Sequence, residues 1–316
     1  MSKQHSFRFG VNAISSGSGD EWRATAHKVE DLGYSVLSVG DHLWTQLAPL
    51  ASLMAAADVT SKLRLGSLVF GNDFRHPVIL AREAATIDLL SNGRLELGIG
   101  TGYQREDYEC TGITFDSAGV RVSRFEEAVQ IIKRLFGTEP VNFTGHHYTL
   151  ANLDALPKPV QQPHPPILIG GGSRRMLSIA AREADIVSVN VQTTAEGILN
   201  LKSFTAEATD QMIEWIRQAA GERFDALELN TLVLAIIITN DPQAATEKLA
   251  SDWNIDLGKI SIAELLESPH FLFGSEEEIV EELQKRRERY GISYITIFGE
   301  EHIDIFAPIV ARLAGK

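Results

Sequence analysis

The sequence repeats one pattern eight times: a short apolar run, a stop at glycine or a small polar residue, then a stretch with helical spacing. The runs lie at 7–14, 35–39, 63–70, 94–99, 166–169, 185–190, 227–239 and 294–298. Their apolar, partly β-branched character is that of strands buried on both faces, the habit of parallel sheets covered by helices. Helices are predicted at 20–32, near 50–57, and at 77–90, 123–136, 176–184, 205–220, 276–289 and 305–313. Asp20 is read as the cap of the first and Gly33 as its stop, while Pro77 and Asn92-Gly93 bracket the third. Eight such units predict an α/β fold of the (β/α)8 TIM-barrel type, a single domain over 1–316. A doubly wound sheet is the alternative, but no Gly-x-Gly-x-x-Gly follows the first strand. The rhythm breaks twice. After strand four come an irregular loop at 105–120, a hairpin at 141–150 and a five-proline linker at 157–166. After strand six a long polar connection leads to the next helix. These are read as insertions into the barrel.

The fifth unit is the most specific stretch: Pro166-Ile167-Leu168-Ile169-Gly170-Gly171-Gly172-Ser173-Arg174-Arg175. A buried strand, a glycine turn and a helix start make an anion cradle. Glycine lets backbone approach a ligand, and the free N–H groups and dipole of a helix start favour negative charge. Arg174 and Arg175 add positive charge there. The competing reading is a tight strand-to-helix turn with no ligand.

In a barrel, ligands sit at the carboxyl ends of the strands. That rule selects Asn12; Asp41, His42 and Trp44; 68–72; 101–103; 170–175; and Asn190. An imidazole at His42 can give or take a proton near neutral pH, and Trp44 can wall an aromatic group; the alternative for His42 is a loop-bridging histidine. His146 and His147 belong to the hairpin, and His76 precedes Pro77 at a helix start, so all three are read as structural. The run Glu276-Glu277-Glu278 suits a helix N-terminus. No His/Cys/carboxylate cluster has metal-ligand spacing, and there is neither a P-loop nor a Gly-x-Ser-x-Gly elbow.

The charge balance, 42 acidic against 29 basic residues for a net −13, argues against nucleic acid or an anionic membrane as partner. Cys110 is the single cysteine, so no intrachain disulfide forms and a reducing cytoplasm is the expected setting. The first residues lack a signal-peptide core, and no apolar run reaches the roughly 18 residues of a membrane span.

Several motifs carry a family resemblance: Gly40-Asp41-His42, Leu63-Arg64-Leu65-Gly66, Gly71-Asn72-Asp73-Phe74-Arg75-His76-Pro77, the stretch 90–100, and the cradle at 166–175. Together they resemble the luciferase-like flavin and deazaflavin oxidoreductases, the bacterial luciferase superfamily, and within it the coenzyme F420-dependent branch. The resemblance runs nearly the full length. It implies a hydride-transferring oxidoreductase using coenzyme F420, with FMN as the alternative cofactor. The ring would lie against strand three at about Leu68-Val69-Phe70, where relatives have a non-proline cis peptide. The phosphate would sit on Gly170, Gly171, Gly172, Ser173 and Arg174. Asp41, Gly71, Thr101, Gly102 and Asn190 match positions contacting ring or tail, and His42 matches a proposed proton donor, with Trp44 and Tyr103 beside the reaction. The sugar-phosphate dehydrogenases of the branch carry a glutamate where this chain has Tyr103, so that substrate class is put in doubt. Glu106 or Asp107 would replace that acid only if the loop folds back. The resemblance also implies a small-molecule substrate, a separate flavin or F420 reductase and a homodimer. Two further readings stand beside it: a two-component FMN-dependent monooxygenase, and a non-catalytic flavin-binding protein of the same fold.

Overall fold

The computed structural model describes residues 5–14, 16–43, 47–194 and 198–316. Among them, eight parallel strands close into a ring: β1 (Arg8–Ala13), β2 (Val36–Val39), β3 (Arg64–Ser67), β4 (Leu95–Gly100), β5 (Ile167–Gly171), β6 (Ile186–Val189), β7 (Glu228–Val233) and β8 (Ile292–Phe298). Each pairs in parallel with its sequence neighbour, and β8 closes on β1 through Arg8↔Tyr294 to Asn12↔Phe298. The TIM barrel expected from the alternation is the observed fold.

Alternation along the strands divides the core in two. Leu37, Ile167, Ile169, Val187 and Ile295 point outward into the layer between sheet and helices. Their neighbours Val36, Leu168, Ile186 and Tyr294 form a separate cluster inside the barrel, with Leu68 and Val69 packed on it. Beneath it lies a charged floor. Arg8 meets Glu96 at 2.6 Å and Glu228 at 2.6 Å, Arg64 meets Glu96 at 2.5 Å, and the Arg8 guanidinium lies 4.0 Å from the Tyr294 ring centroid. Burial disfavours the charged form of Glu96, but Arg8 and Arg64 outweigh it and hold its carboxyl below the ordinary range.

The helices differ from expectation at their ends. The first, α1 (Gly19–Asp31), is capped by Ser18, whose hydroxyl accepts the Glu21 N–H, while Asp20 sits in the first turn. Then come α2 (Pro49–Val59) and α3 (Pro77–Leu90); His76 caps α3 by accepting the Val78 N–H. The stretch 105–120 is not an irregular loop. It holds α4 (Arg105–Thr111), and α5 (Ala118–Phe136) begins five residues before the predicted 123. The three charged residues that open α4 hid it, because periodicity shows only where an apolar face is long enough to register. The hairpin Val141–Thr144 with Thr149–Leu153 is as expected, and the cradle helix α6 is Arg174–Glu183.

The predicted strand at 227–239 is two strands. β7 ends at Val233, the Leu234 N–H bonds the His270 carbonyl at 2.8 Å, and Ala235–Ile238 leaves the barrel to pair with Phe271–Gly274. Helices Pro242–Asp252 and Ile262–Leu266 lie between them. A second small core of Phe204, Leu249, Ile260, Leu265 and Phe271 supports this third insertion, after strand seven. An unbroken apolar run carries no mark of which sheet each half joins. No helix among the described residues is long and apolar enough to cross a membrane.

Candidate functional site

The carboxyl end of the barrel is polar where the floor is charged and the middle apolar. Period-two alternation turns Asn12, Ser38, Ser188 and Asn230 inward at nearly one level, paired by register as Asn12↔Ser38 and Ser188↔Asn230. The Ser38 hydroxyl bonds the Asn12 side-chain oxygen at 3.2 Å and the Ser188 hydroxyl bonds that of Asn230 at 2.6 Å. The Asn230 amide donates to the Tyr294 carbonyl and to Thr296. These groups satisfy one another, so they form a fixed polar layer beneath the mouth.

At the end of β3 the chain leaves the ladder. Gly66 pairs with Glu96 and Phe70 with Ile99, so β3 takes four steps where β4 takes three, a one-residue bulge at Leu68 and Val69. The peptide bond between them is cis, at the position the resemblance indicated. β4 makes room for the bulge with glycines. A Cβ on Gly98 would stand 1.8 Å from the Ser67 carbonyl oxygen, and one on Gly100 would stand 2.6 Å from Val69 Cγ2. Both Leu68 and Val69 are half-buried, forming an apolar shelf at the mouth. Asp41 braces this end: its carboxylate accepts the Gly71 N–H at 2.9 Å and meets the Arg75 guanidinium at 2.5 and 3.0 Å. A ligand would reach Asp41 only in competition with Arg75, a partner the sequence reading did not name.

His42 follows at the end of β2. Its Nδ1 lies 2.8 Å from Asp107 Oδ2, while Asp107 Oδ1 accepts the Leu43 N–H at 2.8 Å. The His42 side chain is 25% exposed and that of Asp107 3%, so one nitrogen is held inside and the ring edge reaches the mouth. Tyr103 stands edge-on to the imidazole, ring centroids 5.8 Å apart at 89°. Tyr103 is 43% exposed overall, but partial desolvation and the nearby Asp107 carboxylate push the phenol above its ordinary pKa. Thr101 and Gly102 form the turn before α4. Gly102 has φ +72°, and a Cβ there would lie 2.2 Å from the Tyr108 hydroxyl, so only glycine fits. Trp44 lies outside the described residues.

On the other side, the Ser173 hydroxyl caps α6 by accepting the Met176 N–H at 3.4 Å, and Ser173, Arg174 and Arg175 are exposed. A Cβ on Gly172 would stand 2.4 Å from the Asn190 carbonyl and one on Gly170 3.0 Å from the Asn190 side-chain nitrogen. Gly172 is itself buried against Asn190, and the chain runs from it into the exposed start of α6, whose first N–H groups offer the charge an anionic group needs. A phosphate-bearing aromatic cofactor fits: anion cradle, apolar shelf and proton-handling imidazole stand on strand ends around one mouth. Among the described residues no cluster of metal-ligating side chains is found.

The family model described as luciferase-like monooxygenase matches residues 5–292. The chain belongs to that family. This luciferase-like chain is 32% identical over 155 residues to an F420-dependent glucose-6-phosphate dehydrogenase of Amycolatopsis mediterranei (strain U-32), covering 46% of each protein. It spans about half the length of the curated relatives it matches. Among solved structures, the coenzyme F420-dependent tetrahydromethanopterin reductase from Methanopyrus kandleri superposes with a TM-score of 0.77 at 17% identity, over 98% of this chain and 100% of that one. An F420-dependent secondary alcohol dehydrogenase superposes with a TM-score of 0.76 at 19% identity, over 98% and 99%. At such identities the superpositions establish the luciferase-like barrel.

One feature of the site was out of reach of motif reading. Asp107 appeared only as a conditional substitute for an acid, and the structure sets it on His42. The inward polar layer was legible in principle: Asn12, Ser38, Ser188 and Asn230 interrupt otherwise apolar runs, and a small polar residue inside a buried strand asks for a partner.

Proposed function

We propose that this chain is a coenzyme F420-dependent oxidoreductase acting on a small organic substrate. The observation that carries the reading is the placing of the glycine cradle, the Leu68-Val69 shelf and the His42–Asp107 pair on strand ends around one barrel mouth. The partial-length similarity to an F420-dependent dehydrogenase supports it. When bound, the deazaflavin supplies a ring carbon able to give or accept a hydride.

The chain's own residues do the rest. Gly170, Gly171, Gly172, Ser173 and Arg174 would hold the phosphate through backbone N–H groups and charge. Leu68 and Val69 would offer an apolar bed to the ring and exclude water, with Gly71, Thr101, Gly102 and Asn190 at its edges and Asp41 bracing the turn. His42 would manage the substrate proton. Tyr103, its phenol held protonated by partial desolvation and by Asp107, would serve as a hydrogen-bond donor rather than a base. A phenol there supports a substrate without the sugar phosphate of the named dehydrogenase. A soluble homodimer in the cytoplasm, served by a separate reductase, completes the reading.

The test is a panel of small alcohols and carbonyl compounds, with cofactor oxidation state followed by absorbance. Turnover with one class, abolished in His42→Ala while cofactor still binds, supports the proposal; equal rates in His42→Ala refute the role of His42. The second reading, an FMN-dependent two-component monooxygenase, is favoured by the description of the family itself. It calls for oxygen uptake when reduced flavin is supplied.

A further inference from the structure

We propose that Asp107 is a positioning residue that sets which nitrogen of His42 carries the proton, so that His42 presents Nε2 to the mouth as a bare acceptor. A carboxylate has only acceptor sites. The 2.8 Å contact from Asp107 Oδ2 to His42 Nδ1 therefore requires a proton on Nδ1. In the neutral ring Nε2 is then unprotonated, and it has no hydrogen-bond partner among the described residues. That form takes a proton from an O–H donor, and the imidazolium so formed is stabilised by the buried carboxylate at its back.

The geometry is built rather than incidental. Asp107 is 2% exposed, whereas Arg105 and Glu106 just before it on the same helix are exposed. Its second oxygen accepts the Leu43 N–H, so one carboxylate fixes both the ring and the backbone that carries it. Tyr103, four residues earlier, stands edge-on to the same ring and limits its rotation. The insertion after strand four thus reaches over strand two to set the histidine. A hydroxyl-bearing substrate is the class this arrangement would accept. The assignment to catalysis depends on the oxidoreductase reading, but the tautomer does not.

The test uses the full chain without cofactor, labelled with 15N-histidine, and a long-range 1H–15N correlation assigned by the signals lost in His42→Gln. The expected wild-type pattern is a protonated Nδ1 and a bare Nε2. In Asp107→Asn the side-chain oxygen still accepts the Leu43 N–H, while the amide now donates to Nδ1, so the proton should move to Nε2. An unprotonated Nδ1 in the wild-type chain, or the same pattern in Asp107→Asn, overturns the proposal whether or not the cofactor is F420. With turnover in hand, Asp107→Asn should lower kcat about 10²- to 10⁴-fold, with KM and cofactor affinity within about twofold; an unchanged kcat would contradict the positioning role.

Discussion

Replacing Gly98 by alanine puts one methyl group where the end of β3 already stands. The new Cβ would begin 1.8 Å from the Ser67 carbonyl oxygen, and real Cβ atoms essentially never approach closer than 3.0 Å. That oxygen is backbone and cannot swing aside, so the strands must part. Two hydrogen bonds span this spot, from the Ser67 hydroxyl to the Gly98 carbonyl at 2.8 Å and from the Gly98 N–H to the Ser67 hydroxyl at 3.1 Å. An opening of more than 1 Å stretches both beyond useful length. Their loss costs about 1 kcal/mol each, and overpacking adds about 1–3 kcal/mol. Against this, alanine gains under about 1 kcal/mol from a stiffer unfolded chain. The net destabilisation is about 2–4 kcal/mol, a large part of a typical folding free energy. Gly119 provides the contrast: it is exposed in the first turn of α5 with nothing within 4 Å of a built Cβ. Gly119→Ala should raise stability by about 0.5–1 kcal/mol. Urea denaturation at 25 °C measures both. If Gly98→Ala keeps the wild-type midpoint, the account of the bulge at Leu68 and Val69 is wrong.

Three further outcomes follow from the same reasoning. Glu96→Gln removes the shared partner of Arg8 and Arg64, but Arg8 keeps Glu228 and Arg64 keeps Gln161, so the loss should sit near the lower end of the range for broken buried pairs, about 3 kcal/mol. Because Arg8 and Arg64 depress the folded carboxyl, its contribution is present above the ordinary glutamate pKa of about 4.3 and fades as pH falls through the folded value; acid denaturation of Glu96→Gln should therefore be shallower there than that of the wild-type chain. Burial holds the His270 imidazole at about 4, below its ordinary 6.5. The unfolded chain alone takes up that proton in between, so stability is full above pH 6.5 and falls by up to roughly 3 kcal/mol toward pH 4. In His270→Phe, denaturation midpoints should flatten across that window. Finally, Gly172→Ala sets a Cβ 2.4 Å from the Asn190 carbonyl, so the glycine turn must shift and carry the start of α6 with it; titration should show cofactor affinity reduced at least tenfold, about 1.4 kcal/mol.

The barrel was legible because its strands are apolar on both faces and its turns are punctuated by glycine, a signal that local sequence carries in full. The strand-end rule then singled out His42 and the stretch 68–72, the glycine run marked the cradle, and the family resemblance indicated the cis peptide. What stayed hidden depends on contacts distant in sequence. Nothing local in Arg105-Glu106-Asp107 says that the third residue will be buried against His42. Nothing in the run 227–239 says that Leu234 will turn to bond His270 and hand the chain to another sheet. Nothing local around Asp41 says that Arg75, 34 residues away, will pair with it. In each case the deciding partner is set by tertiary packing.

The central claim is that this mouth is built for a phosphate-bearing deazaflavin. Isothermal titration of the full chain with coenzyme F420 and, separately, with FMN tests it most directly. The account predicts saturable binding of F420 at least tenfold tighter than FMN, weakened in Gly172→Ala. Binding of FMN with no detectable binding of F420 would contradict it.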